Sequence, residues 1–172
     1  LVFLCGARDY HAIDWYKRAK NKYPNLEIEI ITDLIQGEGF KKIVSSKDKI
    51  YKLLIIDSLL LNKQSSLGNY WRNILKIIVF PIQVLLLKIY SFKHNKSIYY
   101  CHGMYYLLLA KFAGLKYVGR PQGSEILIRP YKSLIYRFFA KEALKAAETV
   151  IVDSPKMKNS IHYFVGSASN TE

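Results

Sequence analysis

The chain has 172 residues, enough for one domain with a substantial core, and 51% of them are hydrophobic, which excludes a disordered chain. Lys and Arg outnumber Asp and Glu by 26 to 13, a formal net charge of +13 that favours a polyanionic neighbour: nucleic acid, anionic lipid headgroups or phosphorylated substrates. Only two cysteines are present, Cys5 and Cys101; lying inside apolar runs, they argue against a disulfide framework and read as reduced, buried residues of a cytoplasmic protein.

Residues 1–7 form an apolar run without alternation, the pattern of a parallel strand covered on both faces. Residues 10–23 read as a helix with Ile13, Tyr16 and Ala19 on one side, stopped by Pro24 and Asn25. A second strand is expected at 26–34, a glycine-marked loop at Gly37 and Gly39, and a third strand at 52–60 that ends in Asp57 and Ser58. Strands follow at 97–102, 116–119 and 149–153, with helices in the gaps, including an amphipathic segment at 131–147. This alternation predicts an α/β fold: a Rossmann-like, open, mainly parallel sheet of about six or seven strands with helices on both faces and the first strand near the centre. Residues 1–166 read as one domain and 167–172 as a linker stub or tail; Leu1 suggests an N-terminus trimmed by a few residues.

The helix at 70–92 is almost apolar enough to span a bilayer, but Arg72, Lys76, Gln83 and Lys88 interrupt it and Pro81 falls inside it. Each charge at a bilayer centre costs about 2.5–3.5 kcal/mol, which argues against a spanning helix. At 100° per residue Asn69, Arg72, Lys76 and Gln83 form one narrow polar stripe. Two readings remain open: a helix buried on most sides, the favoured one, and a helix lying in the plane of an anionic lipid surface.

The sequence Gly119-Arg120-Pro121-Gln122-Gly123-Ser124-Glu125 joins a strand to a helical segment, the layout of a ligand loop at a strand's carboxyl end. Its small residues let backbone N–H groups approach a phosphate or a sugar, although a plain connection rich in turn residues fits equally well. His102, followed by Gly103, closes the fourth strand and faces the same crevice, where it can exchange a proton near neutral pH. His11, His94 and His162 carry weaker claims. The loop after the first strand, Gly6-Ala7-Arg8-Asp9-Tyr10-His11, has one glycine rather than a dinucleotide fingerprint. Asp33 falls where a ribose-binding acid would, but a capping role fits it better. There is no P-loop, zinc spacing or nucleophile elbow, so neither a metal nor a bound cofactor is expected.

Several runs carry a resemblance: Cys101-His102-Gly103, Ala110-Lys111-Phe112-Ala113-Gly114, the 119–125 loop, Ala143-Leu144-Lys145-Ala146-Ala147, and Val150-Ile151-Val152-Asp153-Ser154-Pro155-Lys156-Met157. In their order and spacing they resemble the N-terminal half of a family 4 glycosyltransferase, retaining and of the two-domain B type, over residues 1–165. The family's common His-Gly-Ser-Asp tetrad here reads Gln122-Gly123-Ser124-Glu125, so hydrogen bonding to a sugar survives at this loop while its proton transfer does not.

The resemblance implies an enzyme, active as a full-length protein and inactive as this half alone, that moves a sugar from a nucleotide-sugar to a hydroxyl acceptor in cell-surface polysaccharide or glycolipid synthesis. The nucleotide-sugar domain of the family would lie beyond these residues. His102 would be the catalytic contact, Gln122, Gly123, Ser124 and Glu125 would meet acceptor or sugar, and Gly6, Ala7 and Arg8 would form a phosphate loop. The expected partners are the donor, a hydroxyl acceptor that a lipid could carry, and an anionic membrane surface, for a protein peripheral to the inner face of the cell membrane. Two rival readings are a nucleic-acid-binding α/β module, from the charge and the tyrosines, and a small-molecule-binding Rossmann domain such as a methyltransferase, which would want a glycine-rich first loop.

Overall fold

A computed structural model of the chain describes residues 1–6, 9–33, 49–54 and 66–166. Its strands are β1 (Val2–Cys5), β2 (Glu29–Asp33), β3 (Lys49–Leu54), β4 (Tyr99–His102), β5 (Tyr117–Arg120) and β6 (Thr149–Val150). They form one sheet in the order β3-β2-β1-β4-β5-β6, and every pairing is parallel. The helices are α1 (Tyr10–Lys22), α2 (Ser66–Lys93), α3 (Met104–Ala113), α4 (Gly123–Leu127), α5 (Arg129–Lys132), α6 (Leu134–Ala146) and α7 (Pro155–Val165). This is the open parallel α/β sheet expected, with β1 in the interior.

The pleat explains the sequence of β1. Phe3 and Cys5 point to one face, where they pack with Ala12, Ile13 and Tyr16 of α1. Val2 and Leu4 point to the other, into a larger core with Leu87 of α2, Leu107 of α3, Ala143 of α6 and Ile161 of α7. Helices cover both faces, so no polar alternation survives in the strand. Cys5 and Cys101 are both buried and unpaired with each other, and burial pushes the Cys101 thiol well above its ordinary pKa.

Some boundaries move for physical reasons. The third strand begins at Lys49 rather than residue 52, because its register pairs Lys49 with Glu29 and its ammonium meets Glu27 and Glu29. Asp57 and Ser58, like Gly37 and Gly39, lie outside the described residues. The amphipathic segment expected at 131–147 falls in two helices, the end of α5 and α6. Ile128 and Ser133 are non-helical junctions, Pro130 starts α5, and the Ser133 side chain accepts from the Tyr136 N–H to cap α6.

Gly119 has a packing reason independent of any ligand. A Cβ at that position would lie 2.7 Å from Cδ2 and 3.1 Å from Cγ of the fully buried Leu107. Gly119→Ala should therefore force β5 and α3 apart and cost about 1–3 kcal/mol of stability, read from urea unfolding. An unchanged midpoint would mean that this packing has slack.

Candidate functional site

The chain leaves β1 towards β2 on one side and β4 towards β5 on the other, so the loops beyond the carboxyl ends of β1 and β4 diverge and open a crevice. Asp9 organises it. One carboxylate oxygen, Oδ1, caps α1 by accepting from the backbone N–H groups of His11 at 3.1 Å and Ala12 at 3.3 Å. The other, Oδ2, lies 2.7 Å from Nδ1 of His102 and accepts from Nε2 of Gln122 at 3.1 Å. At that distance Nδ1 is the ring nitrogen turned to the carboxylate, and Nε2 is the one left to meet a ligand. Burial alone would raise the Asp9 pKa; the His102 hydrogen bond and charge, the Ala12 N–H and the Gln122 amide outweigh it and hold the carboxyl below its ordinary range.

Glu125 is a second organiser, nearly buried. Its Oε2 accepts from the Met104 N–H at 2.8 Å and from the Gln122 N–H at 2.9 Å, placing one negative charge at the N-termini of both α3 and α4. Gly103, between β4 and α3, has φ of 88°, a conformation that favours glycine and lets the chain turn directly from His102 into α3.

Two cavities meet at His102 and Gln122. The larger, about 1130 Å³, is lined at one end by Gly6, Asp9, His102, Gln122 and Glu125. Its walls are Ile77, Phe80 and Pro81 of α2, Tyr105, Leu108 and Phe112 of α3, and Tyr136 and Phe139 of α6, with Arg72, Lys76 and Arg129 among them. The smaller, about 240 Å³, takes in Gly123 and Ser124 together with His11, Arg120 and Asp153. Arg120 is nearly buried, paired with Asp153 and held over the Trp15 ring at 4.6 Å.

Gly6, His102, Gln122 and Glu125 thus line the large cleft, and Gly123 and Ser124 the small one beside it. Ala7 and Arg8 lie outside the described residues. Sequence reasoning missed Asp9 and Arg120 as site residues. The signal for Asp9 was present: an aspartate immediately before a helix is an N-cap. Among the described residues no group of three or more metal-ligating side chains forms.

The long helix α2 overturns the favoured expectation of a helix buried on most sides, since only 22% of its apolar stretch is buried. Two residues of its polar stripe face the protein: Gln83 is 2% exposed and accepts a hydrogen bond from the Tyr105 hydroxyl, and the Lys76 ammonium lies 4.6 Å from the Tyr105 ring centre. Its outer face carries Ile77, Ile78, Ile82, Leu85, Ile89 and Phe92, with Ile77 76% and Phe92 73% exposed. This is the reverse of the amphipathicity that a helix on a water-facing domain adopts. Leu134, Ile135 and Phe138 of α6 are exposed as well.

The lowered Asp9 pKa has a stability consequence with a definite sign. A depressed carboxyl stabilises the fold above its unfolded pKa of about 3.9, and the contribution is lost as the pH falls through the lower folded value. Thermal midpoints of the parent and of Asp9→Asn should therefore differ most at neutral pH and converge as the pH falls below about 4. A gap that stayed constant down to acid pH would contradict the Asp9–His102–Gln122 network.

No protein-family model matches the chain, and no curated protein matches it in sequence. Solved structures do match its fold. Sucrose-phosphate synthase from Thermosynechococcus elongatus superposes with a TM-score of 0.68 at 11% identity, over 99% of this chain and 46% of that one. A second structure of the same enzyme gives a TM-score of 0.64 at 12% identity, over 100% of this chain and 86% of that one. The chain spans less than half the length of the first of these structures, and the likeness is one of fold.

Proposed function

We propose that the chain is the acceptor-side half of a sugar transferase of the family 4, B-type kind. The observation that carries this reading is the Asp9–His102–Gln122 network at the point where the strand order reverses, beside a cleft with room for a substrate. In the reaction, the acceptor hydroxyl oxygen bonds to the sugar's anomeric carbon as the bond from that carbon to the nucleoside diphosphate breaks. The hydroxyl proton passes to the departing diphosphate. His102 holds a hydroxyl through Nε2, the ring nitrogen that Asp9 leaves to the ligand. The donor nucleotide is held mainly by residues beyond this half.

The rival readings fare less well on the same grounds. Tyr16, Tyr90, Tyr99, Tyr100, Tyr106 and Tyr117 are buried in the core, which removes them as stacking platforms for bases. The first loop offers no glycine-rich cradle for a dinucleotide or a methyl donor.

The acceptor lies at a membrane surface in this reading. The outward apolar face of α2 and the exposed Leu134, Ile135 and Phe138 of α6 are accompanied by the exposed Lys88, Lys132 and Lys145, a composition suited to the boundary of an anionic leaflet.

The test of transfer uses the full-length protein with a panel of uridine and guanosine diphosphate sugars, scoring nucleoside diphosphate release. His102→Asn should lower kcat/KM by roughly twofold to tenfold, the range for losing one hydrogen bond between uncharged groups, with the fold retained. Gly123→Ala is the sharper variant. A Cβ there meets no protein atom within 4 Å, so the fold should be unharmed while a ligand approaching that backbone is obstructed and KM rises. Unchanged kinetics in both variants would reject this site.

Membrane placement is read by vesicle co-sedimentation. Vesicles containing phosphatidylglycerol should retain the protein at low salt and release much of it at high salt, since each Lys or Arg near an anionic surface contributes about 1 kcal/mol. Ile78→Glu combined with Ile82→Glu should abolish retention at no cost to the fold, because both side chains already face outward. Equal retention on neutral vesicles, or none on either, would leave a soluble acceptor as the better reading.

A further inference from the structure

We infer that α2 is a wall in two parts: residues 66–80 form an arm that pivots at Pro81 on a stem, residues 82–93, and the Tyr105 hydroxyl is its clasp. Movement of the arm changes the width of the large cleft and leaves the Asp9–His102–Gln122 corner in place. The inference goes beyond the sugar-transfer reading and needs no ligand.

Proline has no N–H and its ring crowds the carbonyl four residues back, so the Ile77 carbonyl loses its helical partner and α2 is weakest at that point. The two sides of the break are fastened differently. In the stem Gln83, Leu87 and Tyr90 are buried, and Leu87 and Tyr90 belong to the main core. The Tyr90 hydroxyl donates to the buried Glu29 carboxylate of β2, and its ring stacks on His94 at 4.1 Å. In the arm Leu75 is the only buried large hydrophobic side chain among the described residues. It sits in a small cluster with Trp71, Val79 and Tyr105, apart from the main core. Phe80, beside the proline, is the one described arm residue that packs against the main core.

The cleft draws its α2 wall from the arm. The lining residues of this helix run from Arg72 to Pro81, and none of those described lies in the stem. Tyr105, the second residue of α3, stands across the break. Its hydroxyl meets the Lys76 carbonyl oxygen, on the arm, at 3.2 Å and Oε1 of Gln83, on the stem. A hydroxyl carries one proton and donates it to one acceptor at a time. Given to Lys76, it ties the arm to α3; given to Gln83, it releases the arm and satisfies the stem. Leu75 and the Lys76 ammonium, 4.6 Å from the Tyr105 ring centre, seat the arm on the same side chain. One residue of the firmly packed α3 thus holds most of what the arm presents to the protein, and the clasp has two settings.

Distances between paired nitroxide labels, read by double electron–electron resonance on the full-length protein, test the pivot without substrate or turnover. Both native cysteines are buried, which directs the label to introduced ones. One pair joins the arm to α6 through Tyr70→Cys and Lys145→Cys, the other joins the stem to α6 through Lys88→Cys and Lys145→Cys; all three side chains are exposed. The stem pair should give one narrow distance and the arm pair two populations. Pro81→Ala restores the missing N–H at an exposed position and should collapse the arm pair to one narrow distance. Tyr105→Phe removes the clasp and should shift the ratio of the two arm populations towards the longer distance by roughly twofold to tenfold, the range for one hydrogen bond between uncharged groups. An arm pair as narrow as the stem pair overturns the inference. So does a broad arm distribution that Pro81→Ala leaves unchanged, since that is a fraying helix end rather than a pivot. Sugar transfer, found or not found, alters none of these outcomes, so this inference and the transfer reading fail separately.

Discussion

A single aspartate ties the local fold to the crevice. Asp9 divides its two oxygens between two tasks: one satisfies backbone N–H groups that α1 would otherwise leave open, and the other meets His102 and Gln122. The end of β4, the loop after β5 and the start of α1 are thereby held to a common point. Glu125 repeats the device one layer away, joining the first residue of α3 to the residue that precedes α4. Two carboxylates, each nearly withdrawn from water, set the geometry of four loop ends with no ligand needed. The crevice is preorganised in the sense that matters for chemistry, because its polar groups are oriented by partners rather than by solvent.

Around this rigid corner the molecule breaks a common rule. The apolar residues of α2 are divided between a core-facing set, Leu75, Leu87 and Tyr90, and a larger outward set, while the polar Gln83 goes inward. Burying Gln83 is tolerable because Tyr105 supplies a donor, and seating an ammonium over a tyrosine ring is favourable in a partly dry setting. The outward set contributes nothing to stability while it faces water. Together with the net charge of +13, it is what the membrane placement proposed above rests on.

The sheet was legible in the sequence because a strand covered on both faces carries apolar residues at every position, and Val2 to Cys5 do so. His102 was legible as a strand-end histidine. Asp9 was not seen as its partner, since the contacts that reveal its role come from elements far along the chain, Gln122 being 113 positions away. The division of the 131–147 segment was hidden because its apolar periodicity outweighed Pro130 and the Ser133 cap, signals that were there to be read. The polar stripe on α2 could be drawn from the sequence, but its direction could not, because Tyr105 on α3 decides it.

The two sides of the cleft are also unequally anchored. Helix α3 buries Met104, Tyr106, Leu107, Leu109, Ala110 and Ala113 between the sheet and its neighbours, and Glu125 pins its first turn. Helix α2, more than twice as long, is fastened by a few apolar side chains and by hydrogen bonds from the Tyr105 hydroxyl to Gln83 and to the Lys76 carbonyl. A smaller share of α2 than of α3 is committed to the core, through Leu75, Leu87 and Tyr90. The α3 wall of the groove is therefore the firmer of the two.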